Sequence, residues 1–281
     1  MSKIPLFFWS NKRLQKWAQE NYGDLLSAYL VEKLSRKPVH WIHPRKIKWL
    51  QPKKHYFAIG SILAQATKHS HIWGSGIITS DQQIAPATFY AVRGPQTRRR
   101  VLELGYACPE VYGDPGLLLP LFYNPSVTKK HVYGWIPHYA DQDLFENFKI
   151  SKNQTYIDLK TNDVEATTRE ILACECIISS SLHGLIVAHA YGIPAIWIRW
   201  SDRLYGDDIK FRDYFESVGI IPYKGIDPND VLNHKEFSTF SAETLASLFK
   251  NIAEAQRVPE REIITQLQDG LLASCPFIAN E

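Results

Sequence analysis

The feature that most constrains this chain is an alternation. Strand-length apolar runs are followed by turns and then by stretches with helical spacing. Ile4–Trp9, Val39–Ile42, Tyr56–Ile59, His71–Trp73 and Ala87–Val92 read as buried strands, rich in β-branched and aromatic residues. Between them, Leu25, Leu26, Tyr29, Leu30 and Leu34 fall on one helical stripe that Arg36, Lys37 and Pro38 bring to an end. A further helix is expected from Gln96 to Leu104, stopped by Gly105. The stretch from Pro120 to Lys130 reads as a linker, and the alternation then restarts. His131–Ile136, Thr155–Leu159, Cys176–Ser179 and Pro194–Ile198 are the expected strands there, with helices over Asp163–Cys174 and Leu182–Tyr191. Two amphipathic helices close the chain, one from Ala242 to Ala255 and one from Pro259 through Leu271.

Strands alternating with helices specify an α/β protein with open, mostly parallel sheets. The restart after the linker predicts two Rossmann-like halves, residues 1–122 and 131–281, facing each other across a cleft. Composition narrows the function. Lys and Arg number 32 against 29 Asp and Glu, a net charge of +3, which is too small for a nucleic-acid binder read from charge alone. The 4 cysteines, Cys108, Cys174, Cys176 and Cys275, form no C-x-x-C pair, and the histidines show no metal-ligand spacing. Reduced thiols, a cytoplasmic location and no metal are the expectations. No apolar run reaches the length of a membrane span, and Met1–Trp9 lacks the apolar core of a secretory signal.

Ligands of open α/β sheets bind beyond the carboxyl ends of the strands, where helix N-termini present free N–H groups to anions. In the first half those positions hold Gly60-Ser61, Gly74-Ser75-Gly76 and Arg93-Gly94; in the second, Pro137-His138-Tyr139, Ser179 through Gly184, and Arg199. Such a collection suits a phosphorylated or carboxylated small molecule. The sharpest segment is Cys176-Ile-Ile-Ser-Ser-Ser-Leu-His-Gly, in which a strand delivers serines and His183 to the first turn of a helix. Two readings of it stand open: anion binding with proton transfer, or Ser181 as a helix cap with His183 on the surface. Asp24 is either a lone catalytic acid or an N-cap. Arg93 is hard to account for structurally, and His138 faces the expected cleft.

These residues, taken in order, resemble the polysaccharide pyruvyl transferase family. The resemblance rests on Asn21-Tyr22-Gly23-Asp24, Ile59-Gly60-Ser61-Ile62-Leu63, Trp73-Gly74-Ser75-Gly76, Val92-Arg93-Gly94-Pro95, Tyr112-Gly113-Asp114-Pro115, Ile136-Pro137-His138-Tyr139 and Ser179-Ser180-Ser181-Leu182-His183-Gly184. It implies a glycosyltransferase-B-like fold. It also implies transfer of a pyruvyl group from phosphoenolpyruvate (PEP) to two hydroxyls of a sugar, closing a cyclic ketal on a surface polysaccharide or its lipid-linked precursor. PEP is then the donor substrate, and no cofactor is implied.

Under the resemblance His183 is the catalytic histidine, read here as the general acid; Asp24 or His138 is available to accept a hydroxyl proton. Arg93, Lys210, Ser180, Ser181 and Leu182 hold PEP. Asn21, Gly23, Ser61, Ser75, His138 and Arg199 line the acceptor side of the cleft. Arg199, Arg203 and Arg212 compete with Lys210 for its role. One alternative is a nucleotide-sugar glycosyltransferase using Asp202, Asp207 or Asp208. A second is a nucleic-acid binder using the basic stretch Pro44–His55 around Trp49 together with Arg98–Arg100. The same basic clusters would suit peripheral contact with anionic lipid headgroups.

Overall fold

The computed structural model describes residues 2–46, 53–145, 150–227 and 257–278. The first half runs β1 (Ile4–Phe7), α1 (Asn11–Leu14), β2 (Glu20–Asn21), α2 (Tyr22–Ser35), β3 (Val39–Trp41), β4 (His55–Phe57), β5 (Ser70–Trp73), β6 (Thr88–Ala91), α3 (Pro95–Glu103) and α4 (Leu119–Phe122). The second runs β7 (His131–Ile136), α5 (Gln142–Phe145), β8 (Gln154–Tyr156), β9 (Lys160–Thr161), α6 (Val164–Leu172), β10 (Cys174–Ser179), α7 (Leu182–Ala190), β11 (Ala195–Trp197) and α8 (Ile209–Ser217). A helix over Arg261–Ala273 follows.

The strands are apolar on both faces because both faces are covered, as parallel sheets require. Leu6, Phe7, Phe57, Ile72 and Trp73 are fully buried in one sheet, and Trp135, Ile136, Ile177 and Ile178 in the other. The 5-stranded sheet has the order β3-β1-β4-β5-β6 and the 4-stranded sheet the order β11-β10-β7-β8. All pairs within them are parallel, with Leu6 opposite Tyr56 and Ile178 opposite Trp135. In the first sheet the chain moves outward from β1 to β3, then returns to place β4 on the other side of β1. The second sheet repeats this: β8 lies on one side of β7 and β10 on the other. Each sheet therefore has a topological switch point, between β1 and β4 and between β7 and β10, and crevices open at the carboxyl ends there.

One hydrophobic cluster spans both halves. Tyr22, Leu26 and Leu30 of α2 pack with Leu117, Leu118 and Leu119, and these with Leu185 and Ile186 of α7. Phe122, Tyr123 and Val127 of the stretch read as a linker also pack against this cluster. Two polar ties join the halves nearby. β2 pairs antiparallel with β9, Glu20 opposite Thr161, and the buried Tyr22 hydroxyl lies 2.7 Å from Thr168 Oγ1 of α6.

Most expected elements are present with shifted ends. The run Ile4–Trp9 is strand only to Phe7, which leaves Trp9 beyond the sheet's carboxyl edge. The run at 155–159 is strand only over Gln154–Tyr156. The helix expected from Asp163 begins at Val164 because the Asp163 carboxylate caps it, accepting from Ala166 N at 2.9 Å. The β2–β9 pair and α8 were not expected. The former is too short to carry a periodicity, and the latter's apolar residues find their partners in α3 and in Trp197 of β11 only in the folded chain. The expected helix at Ala242–Ala255 and residues 47–52 of the basic stretch Pro44–His55, Trp49 among them, lie outside the described residues.

Candidate active site

Both switch points open into one cavity of about 500 Å³. From the first sheet, Trp9 follows β1, Gly60 and Ser61 follow β4, and Ile78 and Thr79 follow β5. Across from them, His138 and Tyr139 follow β7, and Ser181, Leu182 and His183 open α7 beyond β10. Asn21 and Asp24 reach in from the start of α2, Tyr205 from the segment before α8, and Lys210 from the first turn of α8. The sequence-expected residues Asn21, Asp24, Ser61, His138, Ser181, Leu182, His183 and Lys210 are thus brought together.

Asp24 is not the N-cap of its helix. Asn21 is, its side-chain oxygen accepting from Gly23 N at 3.1 Å. That frees the Asp24 carboxyl to face the cavity. Burial, helped by the nearby Glu20 charge and opposed by Lys210, raises its pKa from 3.8 to about 8. Gly23 is required by a close approach: a Cβ there would stand 1.9 Å from His183 Nδ1. The N-x-G-D sequence therefore seats the His183 ring and aims the neighbouring acid.

Ser181 holds the N-cap position of α7 but its hydroxyl makes no capping bond. The positive end of α7 is thus presented to the cavity. The His183 side chain is 14% exposed, with Nε2 turned inward, 3.8 Å from Asp114 Oδ2. Nε2 is buried without a partner, so the accessible nitrogen is Nδ1, beside Gly23. Burial, reinforced by the Arg93 and Lys210 charges, lowers the His183 pKa to about 3. His138 is lowered to about 3 as well, by burial and then by Lys210 and His183. Its Nδ1 accepts from Ala140 N at 3.2 Å. Lys210 is lowered to about 8, first by burial and then by Arg93, against the pull of Asp208, Asp141 and Asp24. At neutral pH the cavity therefore holds a neutral acid, two neutral imidazoles and a cation. An arriving anion would raise both histidines and Lys210.

Other expected site residues lie elsewhere. Arg93 is fully buried and outside the cavity lining. Its Nε donates to Asp213 Oδ2 at 3.0 Å, Nη1 to Ser61 Oγ at 2.6 Å and Nη2 to the Ile77 carbonyl at 2.7 Å. A Cβ at Gly76 would come within 2.3 Å of its Cζ. Contrary to the expectation of a direct ligand contact, Arg93 does not line the cavity, and it touches the lining only through Ser61. Ser180 is not at the cavity surface: it donates to Asp141 Oδ2 at 3.0 Å and accepts from His138 N at 2.8 Å, fixing the turn after β7. Ser75 is buried, donating to Ala58 O at 3.0 Å. Arg199 is held by Asp202 at 2.6 Å and Asp208 at 3.5 Å. Asp207 accepts from Ser80 N at 2.8 Å, binding the loop after β5 to the segment before α8. Arg203 pairs with Asp143 at 2.7 Å.

Sequence reasoning missed Trp9 and Tyr205 of the cavity lining and Asp213 behind it, and it quoted Tyr139 and Asp114 in motifs without giving them a role. Trp9 was hidden inside an overlong strand. Tyr139 could have been found as the neighbour of His138, and Asp114 as the acid of Tyr112-Gly113-Asp114-Pro115. Among the described residues no group of three or more His, Cys, Asp or Glu is arranged to hold a metal ion. No described helix is long and apolar enough to cross a membrane.

Comparison with known proteins identifies the family. The chain is 33% identical over 211 residues to an uncharacterised protein of Acanthamoeba polyphaga mimivirus, covering 71% of each chain. Residues 21–202 match the family model for polysaccharide pyruvyl transferases, a span that opens at the Asn21 cap and includes the switch point between β7 and β10 and His183. The chain belongs to the polysaccharide pyruvyl transferase family.

Proposed function

We propose that this protein transfers the pyruvyl group of PEP to two hydroxyls of a sugar, forming a cyclic ketal, in a glycosyltransferase-B-like arrangement of its two sheets. Family membership makes it a transferase with a sugar or polysaccharide acceptor; the donor and the ketal are our reading. The observation that carries this reading is the convergence, in one cavity, of Lys210, the uncapped start of α7 and the accessible Nδ1 of His183.

Lys210 and the α7 amides suit the phosphate and carboxylate of PEP. Their negative charge would raise the His183 pKa far enough for Nδ1 to carry a proton. Transfer of that proton to the methylene carbon makes a methyl group and leaves an oxocarbenium-like centre at the carbon bearing the phosphate. The first sugar hydroxyl attacks this centre and gives up its proton. The carbon–oxygen bond to phosphate then breaks, and the second hydroxyl closes the ketal and gives up its own proton. One released proton replaces the one delivered to carbon; the other leaves with phosphate. Asp24 lines the same cavity, and the fraction of it that is ionised would serve as acceptor of a hydroxyl proton. Trp9, Tyr139 and Tyr205 offer ring faces to the sugar at the rim.

The test is acceptor-dependent phosphate release from PEP across a panel of aryl and lipid-linked glycosides, with thermal shift by PEP against UDP- and GDP-sugars. Stabilisation by a nucleotide sugar without response to PEP would replace this reading. The carboxylates such a donor would require are engaged here: Asp202 and Asp208 by Arg199, and Asp207 by Ser80. Contact with anionic lipid is a separate proposal, tested by liposome sedimentation with and without anionic lipid.

A further inference from the structure

Behind the cavity, two buried polar atoms face each other without partners. Asp114 Oδ2 and His183 Nε2 are each sealed from solvent, each without a hydrogen bond, and 3.8 Å apart. Native proteins rarely leave such atoms unpaired, so a pair of them in mutual contact calls for a reason. The other carboxylate oxygen of Asp114 is already used: Oδ1 accepts from Gly116 N at 2.9 Å, capping the turn Pro115–Leu118. That bond fixes the carboxyl and points its free oxygen at the imidazole. On the far side of the ring Gly23 gives the room that a side chain would take. The imidazole is thus held between a glycine of the first turn of α2 and a carboxylate from the loop after α3.

We propose that Asp114 is the positioning residue of His183, holding Nε2 so that Nδ1 is the nitrogen turned to the substrate. The inference rests on the reading of His183 as the acid that protonates PEP. The separation exceeds a formed N–H···O bond, and a shift of about 1 Å would close it, as happens when sites tighten around substrate. A carboxylate behind an imidazole selects the tautomer and stabilises the imidazolium. Asp114 touches no substrate; it acts through the ring.

The charges around the pair fit this role. Burial raises Asp114 to about 7, against the pull of the Gly116 N–H and Arg93 and with a push from Asp213. His183 is lowered by the same burial and by Arg93 and Lys210. The nearby Tyr214 hydroxyl is raised well above its usual value by burial and the Asp114 charge. With the site empty, a proton placed on this pair near neutral pH therefore resides on the carboxyl. An anion bound over Nδ1 reverses the preference, and the carboxyl is left ionised behind a charged imidazole.

Asp114→Asn separates the roles of the residue, because an amide oxygen can still accept from Gly116 N. The experiment combines nitrogen NMR of the labelled His183 ring, with and without inorganic phosphate, with pH–rate profiles of phosphate release from PEP. In the parent protein, phosphate should drive the ring toward imidazolium with the Nε2 proton bonded to Asp114. In Asp114→Asn the melting temperature should be kept and the ring should stay neutral at the same phosphate concentration. Turnover should fall about 10–100-fold with KM for PEP nearly unchanged. Identical ring signals in the two proteins would overturn the proposal, as would a KM effect with unchanged turnover. If the NMR coupling is present but PEP is not turned over by the parent protein, the pairing stands and the reaction assigned above fails. If His183→Gln turns PEP over normally, the acid role fails, and the proposal with it.

Discussion

Arg93 and His183 both follow a buried strand, both lie at the start of a helix, and both belong to motifs of the same family. The structure treats them oppositely. All three guanidinium nitrogens of Arg93 are bonded within the protein, and its partner Asp213 also accepts from Thr97 N at 2.9 Å and Thr97 Oγ1 at 2.7 Å. The arrangement is a clamp between the first sheet and α8. His183 has one nitrogen orphaned against Asp114 and the other open to the cavity. A buried charge whose bonds are all made holds elements together, whereas a buried polar atom left unmade is held ready for something else. The comparison separates a residue that holds the walls of the cleft together from one whose bonds the fold leaves unmade.

The strongest way to break this contrast is His183→Gln. Glutamine keeps a hydrogen bond but cannot donate a proton from a titrating ring. Turnover of PEP is expected to fall about 10²–10⁴-fold with the melting temperature little changed. Near-normal turnover would sink the acid role.

Asp213→Ala should give the opposite pattern. It strands the Arg93 charge in the interior and is expected to cost about 3–5 kcal/mol of stability, measured by denaturant unfolding. Arg93→Lys should behave similarly but more mildly, because lysine lacks the planar fork that reaches Asp213, Ser61 and Ile77 together. If Arg93→Lys left stability intact and raised only the KM for PEP, Arg93 would have to be moved back into the site.

Gly23→Ala tests the seat of the imidazole. The added methyl collides with the His183 ring, and overpacking of this kind costs about 1–3 kcal/mol. Turnover should fall as well, because the ring must tilt away from Gly23. Unfolding curves and phosphate release from the same preparation would measure both.

The smallest effect is a dependence on pH. Asp24 and Asp114 have pKa values raised by burial to about 8 and about 7, against 3.8 when unfolded. Between the two values the native state binds more protons than the unfolded state, so stability falls as pH rises through the native values. His138 and His183, lowered from 6.5 to about 3, contribute the opposite slope below pH 6.5. From pH 6.5 to 8 the melting temperature of the empty protein should therefore decline, and Asp24→Asn should flatten that decline. An unaltered slope in the variant would place Asp24 in contact with water rather than in the buried cluster.

Much of this was legible in the residues. The alternation of apolar runs and helical stripes specified parallel α/β sheets, because strands covered on both faces must be apolar throughout. Gly23, His183 and Lys210 were each visible in motifs, and the turns after β4, β7 and β10 indicated where a ligand would sit. Periodicity carries no information, however, about which strand lies beside which, or about contacts between distant segments. The reversal of strand order at β1 and at β7, which puts both crevices in one cavity, was therefore outside its reach.

The sequence by itself determined the class of fold, the family and the glycine-bearing turns, since these depend on local backbone geometry and on patterns a few residues long. Only the tertiary structure decided what the charged side chains do. Asp213 lies 120 residues from Arg93, and Asp114 reaches His183 only after α2, α7 and the turn at 115–118 have packed together. A charge becomes a clamp or a catalyst according to how many of its bonds the folded interior satisfies, and that number does not exist until distant segments meet.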